Sequence, residues 1–486
     1  MEGCSGEEGS AVRDRGLTLQ VDSASYRDPA GFVFLLGDEI YRAVDADHWR
    51  VLAQIQESGL LPELIHTGMV VNSRLVPSDS DEHVALQRAC PGWAHFLWHE
   101  RLPVLSYPYE WSFSMMADAA LLTLALQEKL LRAGFSLKDA SAFNIQFSGS
   151  QPVFIDLPSI EKPERRDIWM AYSQFCRMFL YPLLLSRHRG ISFKSIFLAN
   201  LEGPDMDQTF AALGVWKCLR PGLVLDLLMP RLFSRVPPRK VRKMESSALK
   251  SAADPSPQFV NLERLTRKIA TLRASRRSSS HWSGYGLMTH YSDQARTEKD
   301  TFVRRLLKEH SPKSVLDLGC NTGTYSVMAA EQGARVVAVD GDSECVDRLY
   351  AEVRSKSLPI LPLVVDLANP SPPLGFRNLE RKSFMERAPA DAVLALALVH
   401  HLLVTARMPL EAICDLLADL TRRILVVEFV EREDEMFQSL LALREDLYRD
   451  LSVDRFASVF QRRFDLIERQ SLTGCRRHLF ALQKKP

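Results

Sequence analysis

The 486-residue sequence lacks the features that would assign it at once to several common classes. Its 61 Lys and Arg residues are balanced by 60 Asp and Glu residues, so a net charge of +1 gives no general attraction for nucleic acid or an anionic membrane. Its eight cysteines are scattered and form no Cys-x-x-Cys pair, which excludes a disulfide framework and a cysteine-based zinc motif. We therefore expect a cytoplasmic protein without a strong nucleic-acid signal.

Long apolar runs are also absent. The longest, Met178 to Leu185 and Ala392 to Val399, fall far short of the roughly 20 residues that cross a bilayer, which predicts a soluble protein without a transmembrane segment. Residues 1–16 are acidic and glycine-rich where an export signal would be basic and then apolar, so we predict a disordered leader there. His95 and His99 lie four residues apart without a third ligand nearby, so no metal site is predicted.

The composition otherwise fits a globular chain of roughly two to four domains, with 46% hydrophobic and 25% charged residues. The sharpest change lies at 235–279, where Pro, Ser and basic residues accumulate. There the segment NLERLTRKIATLRA has apolar residues at helical spacing. We predict a basic linker at 235–279 with one short helix, a first domain at 17–234 and a second at 280–486.

The second domain alternates apolar runs of strand length with helical patterns, which predicts parallel βαβ units. Two final runs, separated by SLTG, are typical of an antiparallel hairpin. We therefore predict one open α/β sheet of seven strands. The predicted strands are 314–317, 335–340, 361–366, 391–398, 423–429, 464–469 and 478–482.

The most informative stretch is SVLDLGCNTGTYS, in which a strand ends at Asp317 and passes through Gly319, Asn321 and Gly323 into a helix. The next strand ends at Asp340. Glycines after a first strand allow a ligand to approach the backbone, and an acid on the second strand can accept ribose hydroxyls. The acid before the loop would repel a pyrophosphate but would suit a cationic amino-acid tail. The alternative is that these glycines serve only the turns.

This stretch resembles the first motif of class I S-adenosylmethionine-dependent methyltransferases, as in DLGCNTG, and the resemblance covers roughly 280–486. It implies a Rossmann-like sheet that binds S-adenosylmethionine. It further implies that Asp317 and Gly319 line the methionine end of the cofactor, that Asp340 holds the ribose and that Asp366 lies beside the adenine.

Catalytic candidates follow the fourth predicted strand in LALALVHHL. His400 or His401 could deprotonate an acceptor hydroxyl, since ligands of such sheets gather at the carboxyl ends of the strands. The alternative is that these histidines pack locally. Glu428 is a weaker candidate for the same pocket. Tyr291, together with Trp282 and Tyr285, could cover the cofactor, although ordinary packing is the preferred interpretation.

In the first domain, Asp139 and Asn144 have the spacing D-x4-N, and Asp156 ends a later strand in VFIDLPS. These positions resemble the catalytic loop and metal-binding acid of protein kinases and aminoglycoside phosphotransferases. The resemblance implies an α+β kinase-like domain in which Asp139 orients a hydroxyl while Asn144 and Asp156 hold magnesium. The segment GFVFLLGDEIYRAV is expected to form two strands around a turn.

The kinase motifs are incomplete. No glycine-rich phosphate loop precedes them, and the first lysine of the chain is Lys129, so no lysine can take the β3 position, where Arg42 could stand in. We therefore interpret this domain as a kinase-like fold that has lost phosphotransfer and binds the acceptor. The alternatives are a working kinase and a chance spacing in an unrelated α+β domain.

LKDASAFNIQF, VFIDLPS and DLGCNTGTYS together resemble the rhizobial host-specific nodulation methyltransferases over most of the chain. The resemblance suggests that the partner is a glycan or small-molecule acceptor: a saccharide, a lipid-linked glycan or a related metabolite. Three hypotheses follow: a methyltransferase whose kinase-like domain positions the acceptor, a bifunctional kinase and methyltransferase, and a noncatalytic protein that senses the cofactor.

Overall fold

The computed structural model describes residues 19–219, 221–228, 254–274, 291–442 and 444–486. The predicted leader at 1–16, Trp282, Tyr285 and much of the predicted linker lie outside them. The strands are β1 Leu19–Val21, β2 Gly31–Leu36, β3 Glu39–Val44, β4 Ser73–Leu75, β5 His95–His99, β6 Ser136–Leu137, β7 Ile145–Ser148, β8 Gln151–Phe154, β9 Ile160–Glu161, β10 Ser314–Leu318, β11 Arg335–Asp340, β12 Ile360–Val364, β13 Ala390–Ala395, β14 Thr421–Val430, β15 Phe464–Ser471 and β16 Arg477–Lys484.

The α-helices alternate with these strands and also fill the middle of the chain. They are α1 Ala46–Glu57, α2 Leu60–His66, α3 Asp81–Ala89, α4 Phe113–Arg132, α5 Tyr172–Phe175, α6 Tyr181–Arg189, α7 Phe193–Ala199, α8 Met206–Leu213, α9 Val215–Cys218, α10 Pro221–Leu223, α11 Ser256–Ala274, α12 Asp293–His310, α13 Thr324–Glu331, α14 Ser343–Lys356, α15 Phe384–Arg387, α16 Val399–Val404, α17 Leu410–Leu420, α18 Glu435–Leu441 and α19 Val453–Phe460. Among these helices, none combines the length and apolar character needed to span a bilayer.

The N-terminal half is an α+β region built on an antiparallel sheet of order β1-β2-β3-β5-β4. The predicted pair of strands is confirmed as the β2–β3 hairpin, with Phe34 opposite Tyr41. Gly37 makes the turn with a φ of 65°, which favours glycine. After the sheet, the long helix α4 is buried along most of its length. The short ladders β6–β9 and β7–β8 follow it and carry the loops of the predicted kinase-like motifs.

Helix α11 departs from the sequence prediction. We expected a short helix in a solvated basic linker, whereas its four periodic apolar residues, Leu262, Leu265, Ile269 and Leu272, are buried and belong to the core that includes α4. Two of its basic residues, Arg264 and Lys268, form ion pairs with the buried carboxylate of Asp226. The helix therefore packs against the core and is not a solvated linker, because its periodic apolar residues are buried and two of its basic residues pair with Asp226.

The C-terminal half contains the predicted α/β sheet of seven strands, in the order β12-β11-β10-β13-β14-β16-β15. Strands β10 to β14 pair in parallel. Strand β16 lies antiparallel between β14 and β15, so the predicted terminal hairpin is confirmed. Strands β12 and β13 end earlier than predicted, at Val364 and Ala395. The residues beyond these ends therefore form the loops at the carboxyl edge of the sheet.

Residues 365–389, between β12 and β13, make noncovalent contacts with the N-terminal half. The Arg387 guanidinium donates to the Glu110 carboxylate over 2.5 Å, and both side chains are buried. Its Cζ also lies 4.5 Å from the ring centroid of Tyr107. The Tyr107 hydroxyl accepts a hydrogen bond from the Lys382 backbone N–H at 3.2 Å. A desolvated ion pair thus fixes this segment to the N-terminal half.

Candidate functional site

The loop after β10 and the end of β11 meet at the carboxyl edge of the sheet. The backbone N–H groups of Gly319 and Cys320 donate to the Val339 carbonyl at 2.9 and 3.0 Å. The Asp340 carboxylate accepts from the Asn321 N–H at 2.9 Å. The structure therefore brings together the glycine loop and the second-strand acid, which the sequence places 23 residues apart at Asp317 and Asp340.

The two loop glycines are required by conformation and by space. Gly319 and Gly323 have φ values of 69° and 86°, which favour glycine. A Cβ atom on Gly323 would lie 2.3 Å from Leu349 Cδ1, and one on Gly319 would lie 3.2 Å from Leu398 Cδ1. Gly323 is also the N-cap residue of α13. The turn therefore needs both glycines, and Leu398 borders the loop at Gly319.

Asp317 is buried beneath this loop. Its carboxylate accepts a hydrogen bond from the Ser326 hydroxyl at 2.6 Å. Burial raises its pKa to about 6, and the charge of Asp340 contributes in the same direction. An ionised carboxylate at this buried position would be stabilised further by a neighbouring cation. The Asp317 carboxylate therefore fits the cationic methionine end of S-adenosylmethionine.

Asp366 lies two residues beyond the end of β12, the strand next to β11. It is exposed, and its carboxylate accepts the Ala368 N–H at 3.0 Å. The preceding residue, Val365, donates its N–H to the Asp340 carbonyl at 2.9 Å. Asp317 and Asp340 thus lie at the ends of two adjacent strands, and Asp366 lies in the loop that follows the third. In the parts of the chain that the structure describes, no group of three His, Cys, Asp or Glu residues could hold a metal ion.

His400 and His401 lie in α16, close to its start. His400 is 1% exposed, and neither of its ring nitrogens has a hydrogen-bond partner. The two ring centroids are 4.3 Å apart. Burial, and then the charges of His401, Arg477 and Lys299, holds the pKa of His400 well below its usual value. Burial and Arg477 lower the pKa of His401 to about 4. Both imidazoles are therefore neutral at physiological pH.

A buried charged cluster lies behind these histidines, and sequence reasoning found little of it. Glu428 is 0% exposed and accepts hydrogen bonds from Lys299 Nζ at 2.6 Å and from the Tyr291 hydroxyl. Burial acts to raise the pKa of Glu428, but the charges of Lys299 and Arg477 outweigh it and lower the pKa. Arg477 also pairs with Asp434. An ionised and fully hydrogen-bonded Glu428 is poorly suited to accept a proton.

The three predicted kinase-like residues also come together. Asn144 Nδ2 donates to Asp156 at 3.4 Å, and Asp139 accepts the N–H of Ser141 at 2.8 Å. Burial, together with the charge of Asp156, raises the pKa of Asp139. Arg42 on β3 is buried and donates to Asp156 at 2.6 Å.

Arg42 has a second carboxylate partner. Its guanidinium also pairs with Asp28, which lies in the loop between β1 and β2. Burial acts to raise the pKa of Asp156, but the charge of Arg42 and the hydrogen bond from Ser159 outweigh it and lower the pKa. The positive charge of Arg42 is thus offset by Asp28 and Asp156.

Known proteins support the methyltransferase interpretation. A family model described as a methyltransferase domain matches residues 291–471. The sheet, the glycine loop and this match define an S-adenosylmethionine-dependent methyltransferase. The chain belongs to the family of nodulation protein NoeA from Rhizobium meliloti (strain 1021). It is 33% identical to that protein over 466 residues, which is 95% of this chain and 96% of the relative.

Two solved structures are similar to the chain over a smaller part of its length. The N-methyltransferase NodS from Bradyrhizobium japonicum WM9 in complex with S-adenosyl-L-homocysteine is 13% identical, with a TM-score of 0.31, covering 43% of this chain and 100% of that one. WbdD is 18% identical, with a TM-score of 0.29, covering 40% of each chain.

The affinity for S-adenosylmethionine is expected to depend on the ionisation of Asp317. The cofactor is cationic and favours the ionised carboxylate, so binding should be strongest above the pKa of about 6 and should weaken as the pH falls through it. From pH 7 to pH 5 the loss attributable to this group should approach about tenfold. Calorimetric titration across this range measures the loss. Asp317→Asn should bind weakly with a flatter pH profile, and an unchanged slope in this variant would contradict the assignment.

Proposed function

We propose that this methyltransferase modifies an acceptor involved in nodulation, namely a saccharide, a glycolipid or a related small metabolite, and that its N-terminal half positions that acceptor. The similarity to nodulation protein NoeA carries the proposal, because it extends over both halves of the chain. A methyltransferase domain alone would account only for residues 291–471. The buried ion pair between Arg387 and Glu110 supports a fixed relation between the halves.

On the methyltransferase side, we propose that the cofactor lies across the carboxyl ends of β10, β11 and β12. The bound cofactor supplies an electrophilic methyl group on a sulfonium. Asp317 and Gly319 would face its methionine end, Asn321 and Gly323 would shape the loop, Asp340 would hold the ribose and Asp366 would lie beside the adenine. Alignment of acceptor, methyl carbon and sulfur supplies much of the rate enhancement in such a displacement.

We propose catalytic roles for His400 and His401 at the acceptor side of this edge. Their depressed pKa values keep both rings neutral, and a neutral imidazole can accept the proton that an acceptor hydroxyl or amine releases. A pKa of about 4 for His401 makes it a weak base. A weak base of this kind is suited to a proton that leaves the acceptor atom while that atom forms its bond to the methyl carbon.

In the N-terminal half, we propose binding without phosphotransfer. The arrangement around Arg42 supports this, because Asp28 and Asp156 together offset the charge that would otherwise meet a nucleotide phosphate. The additional carboxylate of Asp28 beside Arg42 also repels phosphate groups. The bifunctional alternative rests on the proximity of Asn144 and Asp156 to Asp139, which the kinase resemblance would explain.

One experiment with two arms tests both statements. In the first arm, methyl-labelled S-adenosylmethionine is incubated with the protein and a fractionated extract of the source cell, with Asp340→Ala as the control. We expect label in the glycan, glycolipid or small-molecule fraction with the wild-type protein only. Label in protein or RNA alone would contradict the proposed acceptor. In the second arm, ATP labelled at the γ-phosphate should transfer no more label to any fraction than the extract transfers without the protein; additional transfer would establish the bifunctional alternative.

A further inference from the structure

The loop between β13 and α16 contains a backbone conformation that its residues do not favour by themselves. Ala397 has a φ of 51°, in the left-handed region, although it carries a Cβ atom. Non-glycine residues in this region are uncommon and are held there by their surroundings. The Ala397 N–H donates to Glu428 Oε2 at 2.9 Å. A buried carboxylate from the neighbouring strand β14 therefore supports the unusual residue.

This loop borders the glycine turn of the proposed cofactor pocket. Leu398 follows Ala397 directly, and its Cδ1 would lie only 3.2 Å from a Cβ atom on Gly319. Helix α16, which carries His400, begins at the next residue. The conformation at Ala397 therefore sets the position of a pocket wall.

The carboxylate itself is held in place by groups from three other elements or segments. Lys299 on α12 donates to the same oxygen as Ala397, Oε2, at 2.6 Å. Tyr291, just before α12, donates to Oε1, and Arg477 on β16 lies 3.9 Å from Oε1. Since both oxygens are engaged, the acceptor for the Ala397 N–H cannot easily move.

We propose that Glu428 is a positioning residue that accepts the Ala397 N–H, keeps Ala397 left-handed and so holds Leu398 against Gly319, forming the methionine side of the pocket before the cofactor binds. The inference rests on the proposed placement of the cofactor at Asp317 and Gly319. It assigns Glu428 a role in cofactor affinity through the loop and not through proton transfer.

A matched pair of variants isolates the hydrogen bond from the charge. Lys299→Met/Glu428→Gln and Lys299→Met/Glu428→Met both remove the ion pair. In the first, the amide oxygen can still accept from Ala397 while its NH2 group donates to the Tyr291 oxygen; in the second, no acceptor remains. We expect the second to bind S-adenosylhomocysteine about tenfold more weakly in calorimetric titration, the effect of one lost hydrogen bond.

A third substitution tests the backbone step. Glycine adopts positive φ without the steric cost that alanine incurs. Adding Ala397→Gly to Lys299→Met/Glu428→Met should therefore restore most of the lost affinity. Equal affinities for the matched pair, or no recovery with Ala397→Gly, would overturn the inference.

Hydrogen exchange of the wild-type protein without cofactor provides a test that needs no variant. The amide of Ala397 should exchange slowly, because it is bonded to a buried carboxylate. Exchange at the rate of an unprotected loop amide would also overturn the inference. The Asp340→Ala variant separates the two levels of the argument. If its affinity is unchanged, the cofactor placement fails; if its affinity is lost while the matched pair shows no difference, only the role of Glu428 fails.

Discussion

Replacement of Asp340 with alanine is expected to weaken binding of S-adenosylhomocysteine by at least about 100-fold while the protein stays folded. In the proposed placement this carboxylate accepts both ribose hydroxyls. Hydrogen bonds to a charged group contribute about 1.5–3 kcal/mol each, so the loss of two corresponds to that factor or more. The substitution also removes the acceptor for the Asn321 and Asp342 N–H groups, which loosens the glycine loop.

Two variants control for this secondary effect. Asp340→Asn retains one carbonyl oxygen and should fall between the wild type and Asp340→Ala. Asp342→Ala removes the side chain that caps α14 at the Glu344 N–H, so it perturbs the same turn without removing the proposed ribose ligand. We expect its affinity to stay close to that of the wild type. Calorimetric titration gives the affinities, and thermal unfolding confirms that each variant is folded. Tight binding by Asp340→Ala would exclude this placement of the cofactor.

The C-terminal fold could be predicted from sequence because its signals are local. A strand followed by Gly319, Asn321 and Gly323 specifies the turn by residue type alone. The conformation of Ala397 could not be predicted in this way, because alanine carries no preference for positive φ. It depends on Glu428, 31 residues later in the chain and on the neighbouring strand. The pairing of Lys299 with Glu428 is likewise visible only after the sheet has formed.

The predicted linker shows how two sequence signals can conflict. The basic and Ser-rich composition indicated a solvent-exposed linker, whereas the spacing of Leu262, Leu265 and Ile269 indicated a helix packed against the core. Packing prevailed, because burial of these side chains is favourable and the basic residues found a buried partner in Asp226. Asp226 lies 38 residues before Arg264, so composition alone could not reveal the pair.

The kinase-like residues illustrate a different limit. The spacing of Asp139 and Asn144 correctly indicated that these residues share a loop, and the fold brings Asp156 to them. Sequence reasoning also suggested that Arg42 could stand in for the missing lysine, and the structure places Arg42 beside Asp156. The sequence could not show that Asp28 would join the pair, and this second carboxylate is what now argues against a phosphate ligand.

Replacement of Arg387 with methionine is expected to destabilise the protein by about 3–5 kcal/mol, because it leaves the Glu110 carboxylate buried without its partner. The side chains are 3% and 0% exposed. Arg387 also donates to the Leu105 carbonyl and covers the ring of Tyr107, so several contacts across the two halves are lost together. Unfolding in urea should show a lower midpoint. Arg387→Met/Glu110→Gln should recover part of the loss, since the buried charge is then removed.

The exposed pair of Arg50 and Asp47 supplies the matched control. Its side chains are 71% and 81% exposed, and Arg50→Met should leave the midpoint unchanged within error. The comparison also bears on function, because Arg387 lies in the segment that begins next to Asp366 and contacts the proposed acceptor-binding half. If that half positions the acceptor, folded Arg387→Met protein should lose methyl transfer at temperatures where its affinity for S-adenosylhomocysteine is retained. Full transfer activity in a variant with a clearly lowered midpoint would show that the contact stabilises the fold without positioning the acceptor.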